Sequence, residues 1–226
     1  MSINIRANLK LLVIGSSGAG KTSFVQRWTK NEFSETHKPT IVSEFGFKIF
    51  EYKEKKYRIQ LWDIGGQDKS PSLAKIFARD SHGCLVVSDC TKENTLDDCL
   101  EWKKVMNQEG IFPDGQKLPF VLVQNKIDLI EEKMELEDIE EKTKNVAENN
   151  DFIKYFMASV KENINIEEAM SFLIGNIVDR LEIWVKNGGE VFADQRRKNT
   201  IRLDDGSSAI LIKYLIIFKK LIEVYN

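Results

Sequence analysis

The sequence is poor in the residues that build metal centres and covalent scaffolds. It has two histidines and three cysteines in 226 residues. The cysteines are Cys84, Cys90 and Cys99, with no C-x-x-C pair among them. Neither a zinc site nor a disulfide framework is expected, and a reducing compartment fits such usage. Structural roles are expected for these thiols. An excess of one charge is also missing. Lys and Arg number 33 against 35 Asp and Glu, a formal net charge of −2. That balance offers no overall field for nucleic acid, which is not expected as a partner. The first residues lack the charged-then-apolar layout of a secretory leader, and Ser2 stands where N-myristoylation needs glycine. A chain without leader or myristoyl group is therefore expected. No uninterrupted apolar run reaches the length of a membrane span. The most apolar stretch, residues 209–225, is broken by Lys213, Lys219, Lys220 and Glu223.

What is present is ordinary globular usage, 42% hydrophobic and 30% charged. Collagen-like, disordered and coiled-coil classes are excluded for the chain as a whole. The length suits one large domain or two small ones. Residues 9–14 form a short apolar run ending at Gly15, which reads as a buried strand, and residues 20–29 read as a helix. Residues 43–52 and 56–64 are β-rich and joined by a charged turn, which predicts an antiparallel hairpin. Further buried strands are expected over 83–88, 119–124 and 152–158, each followed by a helical pattern, over 95–107, 135–148 and 166–185. This alternation predicts an α/β fold with a doubly wound, mostly parallel mixed sheet of about six strands flanked by helices. A C-terminal extension follows. The composition shifts after the helix exit at Asn187-Gly188-Gly189, so one domain is expected over 1–186 and a variable tail over 187–226. In such sheets ligands bind at the carboxyl ends of the strands.

Gly15-Ser16-Ser17-Gly18-Ala19-Gly20-Lys21-Thr22 matches G-x-x-x-x-G-K-[ST] and lies between the first strand and the first helix. Its glycines let backbone N–H groups close around phosphate oxygens, and the helix N-terminus adds positive potential. Lys21 is placed to reach the β- and γ-phosphates, and Thr22 offers a hydroxyl to Mg²⁺. This motif alone leaves ATP, GTP, kinase and ATPase chemistry open. Asn125-Lys126-Ile127-Asp128 follows the fifth strand. Asp128 can accept two hydrogen bonds from the N1–H and N2–H₂ groups of guanine, a donor pair that adenine lacks, and Lys126 can lay its stem along the base. Asp63-Ile64-Gly65-Gly66-Gln67 ends the third strand. Asp63 is placed to hold Mg²⁺, the Gly66 N–H to meet a γ-phosphate, and Gln67 to orient the attacking water. Thr40 lies between the first helix and the hairpin and is a further hydroxyl for Mg²⁺.

These four elements in this order resemble the Ras-like small GTPases, and among them the Rab family. Trp62-Asp63-Ile64-Gly65-Gly66-Gln67 is similar to the Rab W-D-x-A-G-Q-E segment. Asn31-Glu32-Phe33 and Lys38-Pro39-Thr40-Ile41 are similar to Rab switch I, and Ser159-Val160-Lys161-Glu162-Asn163 to the S-A-K-E-N guanine loop. The resemblance covers about residues 8–185. Ile64 and the loop 113–119 are similar to a Rab subgroup associated with lysosome-related organelles. The resemblance implies a G domain over 1–186, GTP and GDP as ligands, and slow hydrolysis of GTP. It implies that Ser159, Val160 and Lys161 join the base site and that Phe33 stacks on the guanine. The nucleotide-binding set then comprises Ser17, Gly18, Ala19, Gly20, Lys21, Thr22, Ser23, Phe33, Thr40, Gly66, Asn125, Lys126, Asp128, Ser159, Val160 and Lys161. Gln67 and Lys21 are the catalytic pair, and Thr22, Thr40 and Asp63 the metal set. Residues 33–42 contain no arginine, so an activating protein that supplies Arg in trans is implied. An exchange factor and effectors at the switch surface are implied as well, with Phe45, Trp62 and Phe77 as the aromatic effector contacts. A GTP-loaded adaptor with negligible turnover is disfavoured by Gln67, and a P-loop ATPase or kinase by residues 125–128.

Three departures from the family pattern bear on exchange. Val160 replaces Ala beside the base, Gly65 replaces Ala in switch II, and Asp68 replaces Glu. The tail departs further. As a helix, Lys213, Lys219, Lys220, Glu223 and Asn226 fall within an arc of about 140°. Most of the apolar residues of 209–226 fall opposite, and Ile212 and Ile216 break the pattern. That is an amphipathic helix rather than a span. Rab chains normally end in prenylated cysteine, whereas this sequence ends Glu223-Val224-Tyr225-Asn226. The expectation is a cytoplasmic protein with peripheral contact on the cytosolic face of endomembranes. Basic residues 196–202 and the helix would supply that contact. A helix docked on its own domain and a non-native carboxyl end are the other readings.

Overall fold

Short apolar runs flanked by turn residues become the centre of one sheet, and longer periodic segments become the helices that cover it. The computed structural model describes residues 5–35, 43–66 and 76–189. Thr40, Gln67, Asp68 and the tail from residue 190 lie outside the described residues, as does the helix expected over 209–226. The strands are β1 (Ile5–Gly15), β2 (Ser43–Tyr52), β3 (Lys55–Ile64), β4 (Gly83–Asp89), β5 (Phe120–Asn125) and β6 (Lys154–Met157). The helices are α1 (Lys21–Lys30), α2 (Asn94–Glu109), α3 (Lys133–Asn149) and α4 (Ile166–Lys186). The sheet order is β2-β3-β1-β4-β5-β6. Only β2, at one edge, runs antiparallel to its neighbour. The other pairs are parallel.

The burial pattern explains the order. Every residue of β4 and β5 is buried, as expected for central strands covered on both faces. Leu9, Leu11, Leu12, Val13 and Ile14 of β1 are fully buried with them. Helix α4 buries Ile166, Ala169, Met170, Leu173, Ile174, Ile177 and Val178, the i, i+3, i+4 stripe of a helix lying on a sheet. Helix α3 buries only Thr143 and Ala147, so its many acids face solvent.

The hairpin turn places Lys53 and Glu54 at φ 48° and 61°. Positive φ at both central residues is the backbone that matches the twist of a two-residue hairpin. The last strand is shorter than the apolar run 152–158. Residues 154–157 pair in register along β5, flanked by bonds from the Ile153 N–H to the Phe120 carbonyl and from the Ala158 N–H to the Gln124 carbonyl, while the Phe152 N–H turns back to the Ala147 carbonyl and the Ser159 N–H to the Ile164 carbonyl. The loop after α2 is anchored. The Arg180 guanidinium donates to both Asp114 carboxylate oxygens, at 2.6 and 2.7 Å, and lies 4.0 Å from the Phe112 ring centroid.

The consequence for function is geometric. Five parallel strands bring Gly15, Asp63, Asp89, Asn125 and Met157 to the same end of the sheet. The register pairs Val13 with Asp63, Gly15 with Val87 and Asp89 with Asn125.

Candidate functional site

The phosphate loop leaves β1 at Gly15 and enters α1 at Lys21. Gly15 has φ 134°, and a Cβ there would lie 2.0 Å from the Val87 carbonyl oxygen. Only glycine lets the loop pass so close to β4. Gly20 precedes α1, whose start has neither a side-chain cap nor an acid in its first turn. Its N-terminal N–H groups and positive potential therefore face the loop with no protein carboxylate from that turn. Lys21 is buried and donates from Nζ to the carbonyls of Gly15 (3.0 Å) and Ser16 (2.7 Å). Burial lowers its pKa, and the charge of Asp63 opposes that shift. Ser16 donates to the Asp98 carboxylate of α2 at 2.5 Å, which ties the loop to a second element.

Beside the loop, the Thr22 hydroxyl donates to Asp63 Oδ2, and Asp63 is fully buried at the end of β3. Gly66 packs directly on the loop. A Cβ there would lie 2.5 Å from the Ser17 nitrogen and 2.7 Å from the Gly15 oxygen.

The loops after β5 and β6 form the other half. Asn125 is buried between them and the phosphate loop. Its Nδ2 donates to the Ala19 carbonyl at 2.8 Å, and its Oδ1 accepts from the Val160 N–H at 3.0 Å. That places the Val160 N–H on Asn125 in this conformation. Lys126 has φ 72° and forms an ion pair of 2.6 Å with Asp89. Asp128 accepts from the buried Ser159 hydroxyl, and that hydroxyl accepts from the Glu162 N–H at 3.0 Å. A cleft of about 270 Å³ lies between these groups. Gly18, Gly20, Ser23, Phe33, Asn125, Lys126, Asp128, Val160 and Lys161 all line it. A more open concavity of about 410 Å³ lies along α3 between Asp138 and Asn150, and none of the motif residues lines it.

A family model for the Ras family matches residues 10–179. The Ras-related protein Rab-7L1 of Homo sapiens is 35% identical over 166 residues, 73% of this chain and 80% of the relative. The Ras-related protein Rab-32 of Mus musculus is 33% identical over 170 residues, 75% of each chain. Rab-32C of Dictyostelium discoideum is 34% identical over 189 residues, 83% of this chain and 81% of the relative. The chain belongs to the Rab family of Ras-like small GTPases. As a Rab-like GTPase it binds guanine nucleotide, hydrolyses GTP to GDP and acts as a nucleotide-dependent switch in membrane trafficking. Activating proteins, exchange factors and effectors are the partner classes of this family.

Three side chains of this Rab-like site were not legible in its motifs. Asp89 holds Lys126, Asp98 holds Ser16, and Arg27 of α1 donates to backbone carbonyls of Val160 and Lys161. The position of Asp89 at the carboxyl end of a strand was a usable signal. Arg27 and Asp98 sit on helices and carried none.

The aromatic trio expected at the effector surface is contiguous. Phe45 and Trp62 have ring centroids 5.2 Å apart, and Trp62 and Phe77 6.4 Å apart. Trp62 and Phe77 are buried, however, and Phe47 is 43% exposed beside Phe45. Solvent therefore meets the Phe45–Phe47 side of the cluster, because side chains i and i+2 of a strand share a face. Cys84 and Cys99 are buried and Cys90 is partly so, all as free thiols. Among the described residues no helix is long and apolar enough to cross a membrane.

Proposed function

We propose that the cleft divides GTP between two ends. Ser17, Gly18, Ala19, Gly20, Lys21, Thr22 and Ser23 hold the phosphates. Phe33, Lys126, Asp128, Ser159, Val160 and Lys161 hold the guanine, and Asn125 joins the two halves. The Asn125 bridge carries this reading: one buried amide ties the phosphate loop to the segment after β6, so base and phosphate recognition share a rigid frame. Asp128 reads guanine because its carboxylate accepts from two donors that adenine cannot present. Lys21 shifts its ammonium from loop carbonyls to phosphate oxygens, a stronger charge-assisted bond.

Thr22 and Asp63 fit Mg²⁺, with Thr40 completing the set by its motif position. A hydroxyl in contact with a buried carboxylate is the hard-oxygen chemistry this ion takes. When bound, the ion supplies charge neutralisation at the β- and γ-phosphates. Gln67 orients a water whose oxygen bonds to the γ-phosphorus while the bond to the β–γ bridging oxygen breaks. GDP leaves with that electron pair, and the water proton goes to phosphate. The chain brings no arginine of its own in residues 33–42. Intrinsic turnover is slow, and a partner's Arg accelerates it. Gly66 and Thr40 sense the γ-phosphate, and effectors read the resulting order of the switches.

Residues 1–186 form the GTPase domain, and 187–226 a tail that makes peripheral contact with the cytosolic face of endomembranes. Support for the tail reading comes from the basic run 196–202 and the amphipathic pattern of 209–226. Liposome co-sedimentation tests it. Deleting 209–226 abolishes binding if the tail is the contact, and unchanged binding disposes of it.

The decisive experiment identifies the nucleotide carried by the purified protein and repeats the measurement with Asp128→Asn. Wild type retains guanine nucleotide. The variant loses it and gains xanthine nucleotide, whose 2-oxo group meets the new amide donor. Adenine nucleotide bound as well as guanine overturns the reading.

A further inference from the structure

Two walls of the base end of the cleft come from distant parts of the chain. One is the segment after α1 with Phe33, and the other is the guanine loop with Val160 and Lys161. Arg27, in the last turn of α1, joins them. Its Nε donates to the Val160 carbonyl at 3.0 Å, and one terminal nitrogen donates to the Lys161 carbonyl at 2.9 Å. The other terminal nitrogen donates to the Asn31 carbonyl at 3.3 Å. Asn31, at φ 57°, closes α1 by returning its own N–H to the Arg27 carbonyl at 2.9 Å. The guanidinium carbon also lies 5.6 Å from the Phe33 ring centroid, within cation–π range.

This use of arginine is specific. A planar guanidinium carries five donors in a fixed fork and satisfies three carbonyls on two segments at once. The Val160 peptide is thereby held from both sides, its N–H by Asn125 and its carbonyl by Arg27. A lysine ammonium at the same site is a point donor without the fork's geometry. An alanine leaves the guanine loop fastened by Asn125, by the Ser159 hydroxyl and by the bridge between Ser159 and Ile164.

We infer that Arg27 is a positioning residue for nucleotide retention. It sets the separation of the guanine loop from the Phe33 wall, so that the base is clamped on both sides. The inference rests on the reading of the cleft as the guanine site and goes beyond it. No nucleotide motif includes Arg27, and it acts through backbone carbonyls rather than by touching the base.

The test loads the full chain with a fluorescent GDP and follows its release into excess unlabelled GDP. Arg27→Ala is expected to quicken release about tenfold, as loss of several modest hydrogen bonds implies. Arg27→Lys is expected to fall between wild type and Ala, and Arg27→Gln serves if the Ala variant does not fold. Amide hydrogen exchange supplies a second readout. In the GDP-loaded variants, exchange over residues 159–163 quickens while β1 keeps wild-type protection. Release within twofold of wild type in the folded variants overturns the inference. So does exchange that quickens equally in β1, since that reports general destabilisation. Asp128→Ala is run in parallel. If it loses guanine nucleotide while the Arg27 variants match wild type, the site reading stands and the inference about Arg27 fails. If Asp128→Ala retains GDP like wild type, the site reading fails and the inference falls with it.

Discussion

Lys126 pairs with Asp89 at 2.6 Å, and the Asp89 side chain is almost wholly buried while that of Lys126 is 30% exposed. Burial pushes the Asp89 carboxyl up, but hydrogen bonds from Lys126 and Thr91 outweigh that and hold it below its ordinary value. The pair fixes the lysine stem on which the proposed base site depends. Asp89→Asn is expected to cost about 2 kcal/mol of stability, because it leaves a charge poorly compensated. The sign of the pH effect follows from the lowered value. The contribution is complete above the ordinary carboxylate value near 3.8 and is lost as pH falls through the lower folded value. Urea unfolding of wild type and variant at neutral pH checks the magnitude. Equal midpoints and slopes would exclude it.

Gly66 packs where a methyl group would meet backbone atoms of Gly15 and Ser17. Backbone cannot yield as a flexible side chain does, so Gly66→Ala pushes this segment off the phosphate loop. GTP affinity is expected to fall about tenfold or more, with GDP affinity nearly kept, since the Gly66 N–H is proposed to serve the γ-phosphate alone. Competition binding of the two nucleotides measures the ratio, and an unchanged ratio removes that role from Gly66.

Val160 is 2% exposed and lines the base end of the cleft. Its two extra methyl groups relative to Ala are expected to crowd a base bound there by about 1 kcal/mol. Val160→Ala is expected to slow GDP release about fivefold. Stopped-flow release that is no slower than in wild type refutes the crowding.

His82 accepts the Lys10 backbone N–H at Nδ1, at 3.2 Å, and meets the Phe112 ring edge-on. Such an acceptor must be neutral. Burial, with the nearby charge of Lys10, lowers its pKa from 6.5 to about 4, against the pull of Asp80. Between those values the unfolded chain takes up a proton that the folded chain refuses. Stability is therefore nearly complete above pH 6.5 and falls by about 2 kcal/mol by pH 5 and about 3 kcal/mol by pH 4. Comparing His82→Phe with wild type at pH 7 and pH 5 isolates this from the carboxylates. A wild-type loss no larger than the variant's contradicts it.

The alternation of strands and helices, the antiparallel hairpin and both nucleotide motifs were legible in the residues. Each depends on local pattern: apolar runs such as 9–14 and 119–124, the period of 166–185, and glycines at turns. The ends of β6 were not, because the Phe152 and Ser159 N–H groups turn away from β5 to the Ala147 and Ile164 carbonyls, which apolar character does not reveal. Burial of Trp62 and Phe77 was not either, since exposure depends on what the rest of the fold places over a side chain.

The motifs sufficed to name the chemistry, because each motif proposed for phosphate or base is a contiguous turn whose residue types are constrained together. Contacts between distant and chemically common residues were settled by the tertiary structure alone. Asp89 meets Lys126 across 37 positions, Asp98 meets Ser16 across 82, and Arg27 meets Val160 across 133. An aspartate or an arginine on a helix has no local signature. Its partner is chosen by strand order and crossover, which bring the ends of β1, β4, β5 and β6 to one side of the sheet.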